Sequence, residues 1–184
     1  DQGDFRMQAL LGAMYSDGQE MPQNYAEAAR WTRLSADQGY APAQNNLGVM
    51  YAKGHGVSQN FAEAMNWHRK AANQGYVLAQ NSLGGMYELG QGVPRNYDEA
   101  LKWYRLSADQ GHPTAQSNLG LMYFNGQGAP QDDIRALMWF SLSASRGDQE
   151  AVKLRDAVAH RMTPAQIAEA QKLAREWKPT LQPS

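Results

Sequence analysis

Apolar and small residues return at helical spacing, and the whole arrangement recurs every 36 residues. Leu-Gly-x-Met-Tyr stands at Leu11–Tyr15, Leu47–Tyr51, Leu83–Tyr87 and Leu119–Tyr123. A fixed period of this size marks stacked supersecondary units. Within one period Ala43, Leu47, Met50 and Tyr51 fall at i, i+4, i+7 and i+8, which is one face of a helix. The spacing predicts a first helix over about 41–53, broken at Gly54-His55-Gly56-Val57. Asn60, with Glu63 three residues on, predicts a cap of the capping-box type. A second helix over about 61–73 follows, with Ala64, Trp67 and Ala71 on its buried face.

The other copies agree. Asn24 with Glu27 and Asn96 with Glu99 repeat the cap, while Asp132 keeps the cap but has Arg135 in the Glu place. Trp31, Trp67, Trp103 and Trp139 are in register, as are Ala28, Ala64, Ala100 and Ala136. Pro22, Pro94 and Pro130 sit between the helices of a pair, where no amide is needed. Gly12, Gly48, Gly84 and Gly120 fall inside the first helices, where each costs about 1 kcal/mol against Ala. Their recurrence implies close approach of a neighbouring element, expected to be its large Trp and Tyr side chains. Gly39, Gly75, Gly111 and Gly147 read as left-handed caps closing the second helices. Asp1-Gln2-Gly3 echoes Asp37-Gln38-Gly39, so it is expected to be the tail of a helix whose body lies upstream. Beyond Gly147 the motif fails, although Ala151, Leu154 and Val158 keep a helical stripe. Thr163-Pro164-Ala165-Gln166 opens a last helix, about 164–177, with Ile167, Ala170, Ala174 and Trp177 on one side and charges on the other. That division suits an end cap. The expected organisation is a single repeat domain over 1–184. Its repeats lie at about 3–38, 39–74, 75–110 and 111–146, its capping helices at 147–178 and a frayed tail at 179–184.

Composition narrows the chemistry. With 17 basic and 18 acidic residues and a net charge of −1, nothing steers the chain toward nucleic acid or anionic lipid. There are no cysteines, which excludes disulfides and thiolate metal sites. No stretch approaches the ~20 apolar residues of a membrane span, so membrane insertion is not expected. His55, His68, His112 and His160 occupy different levels of the repeat, so stacking gathers no metal or catalytic cluster from them. The Gly-x-Gly loops at Gly54, Gly90 and Gly126 follow helices rather than strands and read as turns, not as nucleotide loops. The first repeat has Glu20 where Gly56, Gly92 and Gly128 stand. Asp132 and Asp133 adjoin at a helix start that favours negative charge. No Gly-x-Ser-x-Gly elbow occurs. Gln8, Gln44, Gln80 and Gln116 recur in register and read as hydrogen bonds between repeats rather than ligand contacts. No catalytic residue, metal or cofactor is expected.

Ala-Gln-x-x-Leu-Gly-x-Met-Tyr, then Gly-x-Gly-Val, Ala-x-x-Trp and a helix-ending Gly together resemble the Sel-one-like repeat (SLR), a relative of the tetratricopeptide repeat. The resemblance covers about residues 3–147. It implies an all-α fold, a right-handed superhelical solenoid of antiparallel helix pairs closed by C-terminal capping helices. It also implies adaptor or scaffold roles, often exported or envelope-linked in bacteria, which favours a periplasmic or secreted setting over the cytoplasm. A cysteine-rich branch carries a disulfide in each repeat and is credited with penicillin binding; the lack of cysteine sets this chain apart from it.

Helical geometry leaves one face of each first helix opposite the core. Its rows read Ala9, Asn45, Asn81, Ser117; then Ala13, Val49, Gly85, Leu121; then Ser16, Ala52, Glu88, Phe124. They vary while the frame recurs, and solenoids bind on such an inner surface. Asn45, Val49, Ala52, Asn81, Gly85, Glu88, Ser117, Leu121 and Phe124 are therefore the candidate partner-binding residues, with small polar groups leading to an apolar pair. Asn45→Ala is expected to be nearly neutral for folding. The leading expectation is a non-catalytic scaffold for a protein or peptide. The alternatives are an envelope enzyme or cell-wall ligand binder of the penicillin-binding type, and a structural spacer whose open N-terminal end stacks on another copy.

Overall fold

A computed structural model describes residues 3–19 and 21–180. Asp1, Gln2 and Glu20, on which two of the expectations above fall, lie outside the described residues. Those described form ten α-helices and no strand: α1 Phe5–Asp17, α2 Tyr25–Asp37, α3 Ala41–Lys53, α4 Phe61–Asn73, α5 Val77–Leu89, α6 Tyr97–Asp109, α7 Pro113–Asn125, α8 Asp133–Ala144, α9 Gln149–Ala159 and α10 Pro164–Glu176. They fall into two compact units, 1–94 and 95–184.

In unit 1, α1 packs on α2 and α3 on α4, and these hairpins stack through α2 on α3 and α4 on α5. The core lies in the seam between hairpins. Leu47, fully buried, meets Ala36 of the preceding hairpin and Trp67 of its own. Leu83 and Leu119 repeat that burial, as do Ala28, Ala64, Ala100 and Ala136. Within each unit the stacked helices thus cover one another's apolar surface.

The register glutamines secure the seam as expected. Gln44 Nε2 donates to the Ala36 carbonyl at 3.2 Å, and Gln80 does the same to Ala72 at 3.4 Å. Those carbonyls belong to the last turn of a helix, which leaves acceptors without intrahelical partners. Gln38 and Gln74 return the link 30 residues back, each reaching the oxygen of Gln8 or Gln44 at 2.8 Å. Arg69 adds a bond from α4 to the Tyr87 hydroxyl of α5 at 2.8 Å, and Arg33 reaches Tyr51 likewise. In unit 2, Gln116 donates to Ala108 at 3.2 Å and Arg105 meets Tyr123.

The helix starts follow the caps, with one correction. Asn60 and Asn96 accept from the amides of Glu63 and Glu99 at 3.1 Å, and Asp132 from Arg135 at 2.9 Å. The carboxylates do not return the bond, so the capping-box expectation holds only for its first half. Glu27 and Glu99 instead pair with Arg30 and Lys102 one turn on, and their charge still suits the positive end of the helix. A complete capping box forms at α10, where Thr163 and Gln166 exchange bonds of 2.9 and 3.3 Å.

The glycines also revise the expectation. A Cβ on Gly48 would meet the His68 ring at 2.8–2.9 Å, and one on Gly120 the Phe140 ring at 2.7 Å. The occupant is therefore the residue after each Trp, from the second helix of the same hairpin, not the Trp or Tyr of the next. Gly56 has φ 72°, as a turn requires, but a Cβ there would also collide with the Tyr25 carbonyl. Its loop is pressed against the start of the preceding hairpin's second helix.

Unit 2 ends in two helices that share one neighbour. Both α9 and α10 pack on α8. Trp177 sets its edge to Trp139, ring centroids 6.1 Å apart, and Arg146 lies 5.1 Å from the Trp177 ring. The tail, expected to fray from 179, is tied at its described part: Thr180 N donates to the Asp109 carbonyl at 2.7 Å.

Candidate functional site

The first helices are covered on several sides, so the face nominated from sequence is only partly open. In unit 1, Asn45 is buried at 5 % exposure, and its Oδ1 lies 3.1 Å from His68 Nδ1. In unit 2, Ser117 is buried as well. Asn45 turns toward the second helix of its own hairpin, because a helix flanked by its partner and by the preceding hairpin has little free circumference. The expectation of open polar groups at these two positions is corrected. Val49, Ala52, Asn81, Gly85 and Glu88 in unit 1, and Leu121 and Phe124 in unit 2, are half-buried. Phe124 is no bare apolar partner for Leu121, since the Arg161 guanidinium sits 4.1 Å above its ring. Arg161 is itself held by Asp133, to which its Nε donates at 2.8 Å.

What remains open are hollows along the first helices. In unit 1 a hollow of about 420 Å³ lies between α1 and α3. Ala13, Ser16 and Asp17 form one wall; Val49, Met50 and Lys53 form the other; Thr32 and Tyr25 of α2 lie beneath. Tyr25 stacks on His55 at its edge, ring centroids 4.7 Å apart. In unit 2 a hollow of about 520 Å³ lies between α7 and α9, lined by Ser117, Asn118 and Leu121 and by Asp148, Glu150 and Leu154. Val49, Ser117 and Leu121 are thus the nominated residues that line these hollows; Asn45, Ala52, Asn81, Gly85, Glu88 and Phe124 do not.

The perturbed histidines have structural explanations. Burial holds the His68 pKa down at about 4, so the ring is neutral at physiological pH, and its Nδ1 donates to Asn45. Burial also lowers His112, whose ring accepts the Ala115 amide at 3.3 Å as the cap of α7. Burial raises Asp109, opposed by Arg105 and by a hydrogen bond from Trp177. Among the described residues no group of three or more His, Asp or Glu side chains is placed to hold a metal ion. No described helix is long and apolar enough to cross a membrane.

The geometry agrees with the comparisons. A model of the Sel1 repeat matches residues 6–40, 41–76, 77–112 and 113–148. The chain belongs to the Sel1 repeat family. A Sel1 repeat protein from Oxalobacter formigenes has 36 % identity and a TM-score of 0.81, over 95 % of this chain and 72 % of its own. A protective antigen of uropathogenic Escherichia coli strains, displaying an SLR fold, has 36 % identity and a TM-score of 0.80 over 95 % of this chain. The chain spans 38 % of that protein's length. A sel1 repeat protein from Klebsiella pneumoniae shares the fold, with 21 % identity and a TM-score of 0.56 over 86 % of this chain and 79 % of its own. The comparison with curated proteins finds no match. Sel1 repeats build helical solenoids, commonly scaffolds for protein interaction.

Proposed function

We propose that the chain is a non-catalytic adaptor that holds a partner's polypeptide against the first helices of its hairpins. The observation that carries this reading is the pair of hollows along the first helices, about 420 Å³ at Val49 and about 520 Å³ at Leu121. Both mix apolar walls with polar and charged groups, which suits peptide side chains and the amides between them. The near-neutral net charge favours a protein partner over nucleic acid. The two histidines most displaced in pKa are committed to packing and capping, which supports a binding role over a catalytic one.

The test is a comparative pull-down with Val49→Asp, Leu121→Asp and the double variant. Both side chains are half-buried on the walls of hollows, so a carboxylate there leaves the seams intact. Partners captured by the wild type should be lost in the double variant while its helical circular dichroism and melting remain. Retention of every partner by a folded double variant would remove the reading.

A further inference from the structure

In the α1–α2, α3–α4 and α7–α8 hairpins the second helix places one residue against the glycine of Leu-Gly-x-Met-Tyr. Those residues are Thr32 on Gly12, His68 on Gly48 and Phe140 on Gly120. His68 and Phe140 are rings, 3 % and 0 % exposed, and they fill the seam. At Gly12 the short Thr32 side chain and the α2 backbone close the seam instead, and the hollow of unit 1 opens beside them. Thr32 is itself 4 % exposed and lines that hollow, and its hydroxyl has no hydrogen-bond partner among the described residues. The hydroxyl opens onto the hollow, where a polar group entering it can donate to it or accept from it.

We infer that this hollow is a subsite for an aromatic side chain with a polar tip, tyrosine foremost, carried by an extended segment of the partner. The ring lies in the hollow between α1 and α3, over Thr32. Ala13, Val49 and Met50 supply apolar walls, and the Thr32 hydroxyl, which both donates and accepts, meets the phenol. Phenylalanine would leave Thr32 unpaired, and leucine would leave much of the slot empty. Asp17 and Lys53 stand on opposite walls, neither ion-paired among the described residues, so the hollow presents both signs of charge to the segment's flanks. This subsite rests on the proposed adaptor reading, since it needs a polypeptide on the first helices.

The experiment follows backbone amide signals of the whole chain by NMR during titration with N-acetyl-tyrosinamide, N-acetyl-phenylalaninamide and N-acetyl-leucinamide. Tyrosinamide should shift Gly12, Thr32 and Val49 and bind roughly three- to tenfold more tightly than phenylalaninamide, the worth of one neutral hydrogen bond. Leucinamide should leave those signals in place. Thr32→Phe installs the ring that already packs on Gly120, and it should abolish the shifts. Thr32→Val keeps the shape without the hydroxyl, so it should erase the preference for tyrosine even if Thr32→Phe does not fold. Absence of shifts, equal binding of all three amides, or unchanged binding to folded Thr32→Phe would overturn the subsite. Partner capture separates the two readings. Loss in the Val49→Asp, Leu121→Asp variant but not in Thr32→Phe overturns the subsite alone, and loss in neither overturns both.

Discussion

Gly48→Ala probes the repeat packing at its tightest point. The added methyl would lie 2.8 Å from His68 Cε1 and 2.9 Å from Cδ2 and Nδ1, flat against the imidazole face. Carbon atoms in good contact sit ~3.5–4.0 Å apart, so three ring atoms are overlapped at once. The ring has little room to retreat, being buried and bonded to Asn45. Two effects oppose each other. Replacing a mid-helix glycine gains about 1 kcal/mol of helix propensity. Overpacking a dense seam costs about 1–3 kcal/mol. Simultaneous overlap with a held ring puts the cost near the top of that range, so Gly48→Ala should lose roughly 1–2 kcal/mol net. Urea unfolding followed by circular dichroism measures this, run also on His68→Ala and on the double variant. With the ring gone only the propensity gain remains, so Gly48→Ala should become neutral or stabilising in that background. A coupling of at least about 1 kcal/mol is expected. A stabilised Gly48→Ala single variant, or coupling near zero, would refute the assignment of His68 to this slot.

Acidification tests the same ring. Below pH 6.5 the unfolded chain takes up a proton that folded His68 refuses until about pH 4, so stability rises with pH across that window. The contribution is whole above about pH 6.5 and fades toward pH 4, a loss of about 3 kcal/mol at 1.36 kcal/mol per pH unit. Unfolding curves at a series of pH values should show this slope, and His68→Phe, which copies Phe140, should flatten it; an unchanged slope would exclude His68 as its source. Asn45→Ala leaves the buried Nδ1–H without its acceptor and should cost about 1–3 kcal/mol in urea unfolding, against the near-neutral effect expected from sequence. Trp67→Ala should cost about 3–5 kcal/mol, and a loss below about 1 kcal/mol would place the Trp outside the seam.

The helices were legible because one period carried every signal that makes them: apolar spacing, an Asn cap, and glycines where the chain must turn. The register glutamines were legible for a related reason, since a polar group that recurs in a stack finds the same partner at each step. The side of the first helix was harder to read. Helical spacing separates a buried face from an open one only when a helix has one neighbour, whereas α3 is flanked by α2, α4 and their side chains. Asn45 therefore points inward although it lies off the main stripe. The His68–Asn45 pair joins positions 23 residues apart, which no local pattern reveals. A usable signal did exist in the column after each Trp, which reads Thr32, His68, Tyr104 and Phe140. It is the only threonine among rings, and it marks where the hollow of unit 1 opens.

The most direct measurement is hydrogen–deuterium exchange on the chain alone and on its complex with a captured partner. The account predicts added protection at the C-terminal halves of α1 and α3 in unit 1, around Val49, and around Leu121 of α7 in unit 2, with α4 and α8 unchanged. Protection confined to α4 and α8, or to the loops beyond them, would place the partner on the opposite side and contradict it.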